Sequence, residues 1–156
     1  MEITIGPMLT ADDAAAFREL NEQWIAATFV LEPEDVRVLA DPFGIIVALG
    51  GDVLVARSGD EVVGCVALVS GGDAEFELAK MAVTPDHRGA GIGRRLLTAA
   101  LDRAAELGAR RLTLGSSTRL PDAVHLYESL GFSHIPEERL EPMPYVRADV
   151  FMERTL

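Results

Sequence analysis

The N-terminal part of the chain carries a short alternating pattern followed by a longer amphipathic one. Residues 1–5 are predicted to form a strand, and Thr10 is a candidate N-cap for the helix that follows. This helix carries Phe17, Leu20 and Trp24 at helical spacing. The chain therefore opens with a strand and an amphipathic helix.

Turn signals divide the next part of the chain into short elements. A second helix is predicted after Glu32-Pro33. Turn-forming residues follow at 50–51, 58–60 and 71–73, and the strands that they delimit are predicted at 53–56, 62–69 and 74–83. Short strands joined by tight turns are typical of an antiparallel meander.

Strands and helices alternate in the second half of the chain. Residues 92–107 form an apolar stripe at helical spacing that ends at Gly108, and Pro121 stands in the first turn of a further helix. Strands are predicted at 111–115 and 146–156. A meander followed by β-α-β-α-β predicts an α/β (α+β) fold with a mixed central sheet and helices on both faces.

Composition narrows the class of protein. A chain of 156 residues with 49% hydrophobic content can bury one core, so residues 1–156 are expected to form a single domain, with the lone Cys65 buried in an apolar run. No apolar run approaches the roughly 20 residues that cross a bilayer, and no secretory segment is seen, so we expect a cytoplasmic protein without membrane association. The net charge of -11 argues against nucleic acid as a ligand.

A glycine-rich loop joins the strand at 74–83 to the helix at 92–107. Its sequence, Arg88-Gly89-Ala90-Gly91-Ile92-Gly93, places small residues where backbone N–H groups meet the positive end of a helix dipole, which is typical of a pyrophosphate site. A simple tight turn is the alternative. A Walker loop is excluded because Arg94 follows Gly93, and the dinucleotide fingerprint is excluded because Leu96 stands where a small residue is needed.

The chain resembles the GCN5-related N-acetyltransferase (GNAT) family over residues 76–132. The family motif Arg/Gln-x-x-Gly-x-Gly/Ala is matched by Arg88, Gly91 and Gly93. Residues 77–83 look like the family's fourth strand, and residues 126–132 look like its "LYxxLGF" signature. Residues 112–120 and 145–150 further resemble a bacterial branch with "LxSNTxL" and "YxRADVxM" segments, from which this chain departs by having Ser117 in place of Asn.

The resemblance implies a fold and a co-substrate. The sheet would have six to seven strands, mostly antiparallel, and would be splayed at the strand that binds acetyl-CoA. The residues expected to bind acetyl-CoA are Met81, Ala82, Val83, Arg88, Gly89, Ala90, Gly91, Ile92, Gly93, Arg94 and Ser117. The implied activity is transfer of an acetyl group to a primary amine of a small molecule by direct attack in a ternary complex.

The resemblance also implies catalytic residues. Tyr127 matches the tyrosine that protonates the CoA thiolate, and Glu77 occupies the position of the general base in some members. Each has a plainer alternative, a half-buried helix tyrosine and a solvated strand carboxylate, and Glu75 is a second candidate for the base. His87 and His125 are weaker acid–base candidates. Because the histidines and the cysteine lack ligand spacing, no metal site is expected.

The acceptor pocket is less well defined by sequence. Arg119, Tyr145 and Arg147 are expected to line it because they lie in the branch-specific segments. Two arginines would suit a carboxylate on the acceptor, which slightly favours an amino-acid-like acceptor. Arg147 would alternatively pair with Asp149, and the acidic composition suits a polyamine or an aminoglycoside. The aromatic residues of the first helix region, Phe17, Trp24 and Phe29, are assigned to the core rather than to this pocket.

Two functions therefore remain open at this point. The first is an acetyl-CoA-dependent N-acetyltransferase, and the second is an acyl-CoA-binding sensor with little turnover. A protein-interaction domain without CoA would leave the glycine-rich loop unexplained. Whether the chain forms a homodimer is also left open.

Overall fold

Seven strands form one mixed sheet in the computed structural model, which describes residues 2–140, 142 and 146–156. They are β1 (Ile3–Pro7), β2 (Asp52–Ser58), β3 (Glu61–Gly72), β4 (Glu75–Val83), β5 (Arg111–Ser116), β6 (Ser133–His134) and β7 (Val150–Thr155), in the order β1-β2-β3-β4-β5-β7-β6. Neighbouring strands are antiparallel except β4 and β5, which are parallel. The predicted mixed, mostly antiparallel sheet is confirmed.

Four α-helices connect these strands within the described part of the chain. They are α1 (Ala11–Thr28), α2 (Pro33–Ala40), α3 (Ile92–Glu106) and α4 (Pro121–Ser129). A π-helical turn at Phe43–Val47 and 3-10 turns at Pro85–His87 and Glu137–Arg139 complete the connections. None of the helices in the described segments has the length and apolar character needed to span a membrane.

The start of α1 is fixed by its own sequence. Thr10 accepts a hydrogen bond from the backbone N–H of Asp13 at 3.1 Å, and the Asp13 carboxylate accepts one from the backbone N–H of Thr10 at 3.2 Å, which completes a capping box. Arg57 of β2 donates two hydrogen bonds to the same carboxylate at 2.7 and 2.8 Å. The predicted cap is confirmed, and it also ties the helix to the sheet.

Each face of the sheet carries its own hydrophobic core. Alternation along β2 sends Leu54 toward α3 and Val55 toward α1 and α2. The apolar stripe of α3, which includes the fully buried Leu96 and Leu97, packs on the first face. Helix α1 contributes the fully buried Phe17 to the second. The predicted placement of helices on both faces is confirmed.

Strands β4 and β5 stay paired for only three residues. Glu75 to Glu77 align with Arg111 to Thr113, and beyond that point β4 continues to Val83 without pairing with β5. The sheet therefore opens into a V between the two strands. The splay implied by the family resemblance is present.

The predicted strands differ in their bounds from the observed ones by up to four residues at an end, most clearly β1 and β7. Strand β1 spans Ile3–Pro7 rather than residues 1–5, and Met1 lies outside the described residues. Strand β7 begins at Val150 rather than at residue 146, because residues 146–147 form a turn and the Asp149 carboxylate faces Thr118. The π-helical turn was not predicted, since its apolar run has no distinctive period.

Candidate active site

A cavity of about 640 Å³ fills the V between β4 and β5. Its walls come from β4, the glycine-rich loop, the end of β5, α4, the C-terminal end of α1, and residues 147–148. Ten of the predicted acetyl-CoA-binding residues line it, namely Met81, Ala82, Val83, Arg88, Gly89, Gly91, Ile92, Gly93, Arg94 and Ser117. Ala90 belongs to the same loop but is not part of the wall.

The loop has the backbone geometry of an anion site. Gly89 and Gly91 have φ values of 80° and 79°, the left-handed region that glycine adopts without strain. Gly91 is the N-cap of α3, and no atom lies within 4 Å of where a Cβ would stand on either glycine. The open face of the loop, at the positive end of the α3 dipole, therefore leaves room for phosphate oxygens.

Two arginines flank this loop. The Arg88 Nε donates to the backbone carbonyl of Val83 at 3.2 Å, and the Arg94 guanidinium donates to the Ser129 hydroxyl at 2.9 Å. Both side chains are exposed and line the cavity. Their charges favour an anionic ligand on this side.

Tyr127 reaches the cavity from α4. Its ring packs edge-on against Phe132 with centroids 6.0 Å apart, and the hydroxyl has no hydrogen-bond partner among the described residues. Burial raises the pKa of Tyr127 to about 12. The phenol therefore keeps its proton at neutral pH, as a general acid requires.

Glu77 lies where the paired part of β4 ends, and it lines the cavity. Burial raises the pKa of Glu77 above its ordinary value, while the positive charge of Lys80 acts in the opposite direction. Glu75 lies outside the cavity wall and forms an ion pair with Arg111 at 3.1 Å. The structure thus brings Glu77, and not Glu75, to the cavity.

Of the two histidines considered as acid–base candidates, one lines the cavity and the other lies on the surface. His87 lines the cavity, where its Nδ1 lies 2.9 Å from the Thr84 hydroxyl, whereas His125 is exposed on α4 outside the wall.

Ser117 is buried, and its hydroxyl accepts a hydrogen bond from the backbone N–H of Arg119 at 3.1 Å. Searching the described segments gave no set of three or more His, Cys, Asp or Glu side chains arranged to hold a metal ion.

A buried ionic cluster stands beside the cavity and was not predicted from sequence. Asp35 of α2 has no solvent exposure, and it accepts hydrogen bonds at 2.7 Å from Lys80 of β4 and from both terminal nitrogens of Arg147. Glu32 accepts a further bond from Arg147 at 3.2 Å. We refer to these four residues as the Asp35 cluster.

Opposing effects set the charge states in the Asp35 cluster. Burial disfavours the Asp35 carboxylate, but the hydrogen bonds from Arg147 and Lys80 outweigh it and lower the pKa of Asp35 to about 2. Burial also lowers the pKa of Lys80, and its bond to Asp35 partly offsets this. Both cations that face the cavity here, Lys80 and Arg147, are thus held against buried or half-buried carboxylates.

Lys80 also marks a distortion of β4. Cys65 aligns with Ala82 and Ala67 aligns with Ala79, so that two residues of β4, Lys80 and Met81, oppose the single residue between Cys65 and Ala67. Lys80 has a φ of 56°, which is rare for a residue with a side chain. This β-bulge redirects β4 at the cavity, and the carbonyl of Lys80 lies 3.6 Å from the Cys65 thiol.

One sequence-based alternative near the acceptor side, an ion pair between Arg147 and Asp149, is wrong. Arg147 does not pair with Asp149, because it binds Asp35 and Glu32, while Asp149 accepts hydrogen bonds from Thr118 at 2.8 and 2.9 Å. Residue spacing along one strand suggested the first pair, but residues 146–147 form a turn and reach α2 instead. Tyr145, the third predicted acceptor residue, lies outside the described residues.

The three aromatic residues assigned to the core differ in position. Phe17 is fully buried in the core as predicted, and Trp24 packs against the same core, but Trp24 and Phe29 also line the cavity. The Arg119 guanidinium lies over the Phe29 ring at 4.7 Å from its centroid, although Arg119 itself is not part of the wall. The sequence carried no signal that separated Trp24 and Phe29 from core residues, because only the packing of α1 against β4 brings them to the cavity.

Comparisons with known proteins identify this fold, with its splayed sheet and glycine-rich loop. A family model for the GNAT acetyltransferase domain matches residues 50–134. YjgM of Escherichia coli, an uncharacterized N-acetyltransferase, is 32% identical over 135 residues, which cover 81% of this chain and 80% of YjgM. The chain belongs to the GNAT family of acetyltransferases and is an N-acetyltransferase by family.

Solved structures agree on the fold. A GNAT-family acetyltransferase from Staphylococcus aureus superposes with a TM-score of 0.89 at 20% identity, over 99% of both chains. N-acetylglutamate synthase from Neisseria gonorrhoeae, solved with coenzyme A and N-acetylglutamate, gives a TM-score of 0.73 at 20% identity, over 100% of this chain and 35% of that one.

A sequence relative from Mycobacterium tuberculosis, the uncharacterized N-acetyltransferase Rv2669, is 34% identical over 80 residues, which cover 51% of this chain and 51% of Rv2669.

The Asp35 cluster generates a prediction about stability. Asp35→Asn should lower the free energy of unfolding by about 3–5 kcal/mol at neutral pH, because two buried cations lose a shared counter-ion. Asp60→Asn, an exposed carboxylate in a turn, is the matched control and should change it by less than about 0.5 kcal/mol. Denaturant unfolding measures both variants, and an equal decrease in their free energies of unfolding would contradict the role assigned to the Asp35 cluster.

The same measurement has a defined pH dependence. Ionised Asp35 stabilises the fold fully above its unfolded pKa of roughly 3.9, and this stabilisation is lost as the pH falls through the folded pKa of about 2. The difference in the free energy of unfolding between the wild type and Asp35→Asn should therefore become smaller as the pH falls below about 4. A constant difference over this range would show that Asp35 is not the ionised partner.

Proposed function

We propose that this protein transfers the acetyl group of acetyl-CoA to a primary amine of a small molecule by direct attack in a ternary complex. The observation that carries the proposal is that the glycine-rich loop, Tyr127 and Glu77 line one cavity in the splay between β4 and β5. These residues supply an anion site, a proton donor and a carboxylate. Family membership supports acetyl-CoA as the donor.

The cavity residues fit acetyl-CoA in a defined orientation. The open loop at Gly89 and Gly91, flanked by Arg88 and Arg94, would hold the pyrophosphate. The unpaired edge of β4 would bind the pantetheine arm in the manner of an added strand. The backbone N–H groups at residues 81–83 would then polarise the thioester oxygen.

Glu77 and Tyr127 divide the proton transfers. Glu77, as a carboxylate, takes one proton from the neutral acceptor amine, directly or through a water, as the nitrogen lone pair forms the new C–N bond. Tyr127 donates its phenolic proton to the sulfur as the C–S bond breaks. The products are an acetamide and the free thiol of CoA.

The acceptor would approach from the side of the cavity opposite the glycine-rich loop. Trp24, Phe29 and Arg147, which line the cavity, would face the acceptor, and Arg119 lies over the Phe29 ring. Arg119, Arg147 and Tyr145 remain the proposed acceptor-side residues from sequence, and the two aromatic side chains are added to them.

The loop assignment predicts loss of donor binding in Gly91→Glu. A carboxylate at this position would meet the pyrophosphate, so acetyl-CoA should no longer raise the melting temperature of the variant. Gly108→Glu is a matched control, since Gly108 has a φ of 82°, follows the opposite end of α3, and also has no atom within 4 Å of the Cβ position. An undiminished shift in folded Gly91→Glu would exclude the loop as the phosphate site.

The role of Tyr127 predicts a turnover defect without a binding defect. Tyr127→Phe keeps the ring and removes the proton, so kcat should fall about ten- to a hundredfold while the affinity for acetyl-CoA is unchanged. Thiol release and the thermal shift with acetyl-CoA measure the two effects. Wild-type turnover under conditions where chemistry limits the rate would leave Tyr127 a packing residue.

The role of Glu77 predicts a pH dependence. Because the base must be ionised, kcat/KM should fall as the pH drops through the raised pKa of Glu77, and Glu77→Gln should lose both activity and this limb of the profile. Glu75→Gln is the matched control on the same strand and should keep the profile. A normal acid limb in Glu77→Gln would transfer the base role to another group.

A further inference from the structure

We infer that the acceptor is a monoamine on an aryl or branched-alkyl body, without a carboxylate beside the amine. The inference rests on the proposed function, because it concerns the second substrate of the same cavity. It follows from an aromatic wall and from the way charges on the acceptor side are already paired.

The aromatic wall consists of Trp24 and Phe29, which both line the cavity. Their rings meet edge to face with centroids 6.3 Å apart and planes at 87°. The Trp24 Nε1 donates to the side-chain oxygen of Asn21 at 3.0 Å, and Asn21 is itself fully buried. Arg119 lies over the Phe29 ring. The wall is therefore held in place before a ligand arrives and offers apolar contact area.

The paired charges disfavour a carboxylate on the acceptor. Lys80 and Arg147 are the cations of the described wall on this side, and the Asp35 cluster sets two carboxylates against them. The cluster is therefore neutral as a whole. Arg119, over the Phe29 ring, adds one positive charge, and Glu77 offsets it when ionised. A carboxylate bound here would therefore find no net positive potential and would lose its hydration.

The same pairing disfavours a polyamine. Asp35 is fully buried, and Glu32 is held by Arg147 and by the backbone N–H of Val146 at 2.8 Å. Glu77 and Asp122 are the carboxylates that line the described wall. Glu77 is assigned to the reacting amine, and Asp122 stands in the first turn of α4, where the helix dipole already offsets its charge. A second ammonium group of the acceptor would thus lack an uncompensated carboxylate. An acceptor with one amine and an apolar body brings neither a carboxylate nor a second ammonium group into the cavity.

Matched amines test this inference. Phenethylamine, phenylalaninamide, phenylalanine and spermidine are compared by thiol release from acetyl-CoA, with rates referred to the unprotonated amine. We expect phenethylamine and phenylalaninamide to exceed phenylalanine and spermidine in kcat/KM by at least about tenfold, because the amide keeps the bulk of the carboxylate without its charge. A preference for phenylalanine or spermidine overturns the inference.

A variant tests the wall itself. Phe29→Ala should raise the KM for phenethylamine about tenfold, with little change for ethylamine and none for acetyl-CoA, since ethylamine is too short for this contact. Val30→Ala, next to it and 79% exposed, is the control and should leave all three values unchanged. Equal increases for both amines overturn the assignment of Phe29.

One outcome separates this inference from the proposed function. If acetyl-CoA raises the melting temperature but none of the amines releases thiol, transfer to a small primary amine is not supported, and both proposals fail. If thiol release is seen with phenylalanine or spermidine alone, the proposed function stands and the acceptor class is wrong.

Discussion

The separation of β4 from β5 after three paired residues is the constraint on which the rest of the site depends. Parallel pairing from Glu75 to Glu77 fixes where the strands start, and the bulge at Lys80 redirects β4 away from β5. The exposed edge of β4, the N-terminus of α3 and the face of α4 then enclose one cavity. A continuous ladder to Val83 would have closed this space and left the glycine-rich loop without a neighbour.

The Asp35 cluster stabilises the other side of this opening. The Lys80 side chain donates to Asp35, and the Lys80 carbonyl accepts from the Cys65 thiol. Lys80, which has a positive φ, is therefore held in place through both its side chain and its backbone. Burial raises the pKa of Cys65 to about 12, which keeps the thiol a donor. Buried charges are costly to desolvate, so this arrangement gives position rather than large net stability.

The two sides of the cavity differ in their electrostatic character. Around the glycine-rich loop, Arg88 and Arg94 are exposed and the α3 dipole points the same way, so an anion is favoured. Around the Asp35 cluster the charges are balanced and the wall is aromatic. The loop side of the cavity therefore favours an anionic group, and the side of the Asp35 cluster favours an uncharged, apolar one.

The sequence by itself determined what depends on local spacing. The capping box at Thr10, the helix after Gly91 and the three glycines of the loop follow from neighbours in the chain, and so did the family resemblance. The tertiary structure decided what depends on distant segments. Asp35, Lys80 and Arg147 meet across 45 and 112 residues of sequence, and Trp24 and Phe29 face the cavity only because β4 leaves β5 beside α1. No periodicity encodes such contacts, because they arise when separate elements pack together.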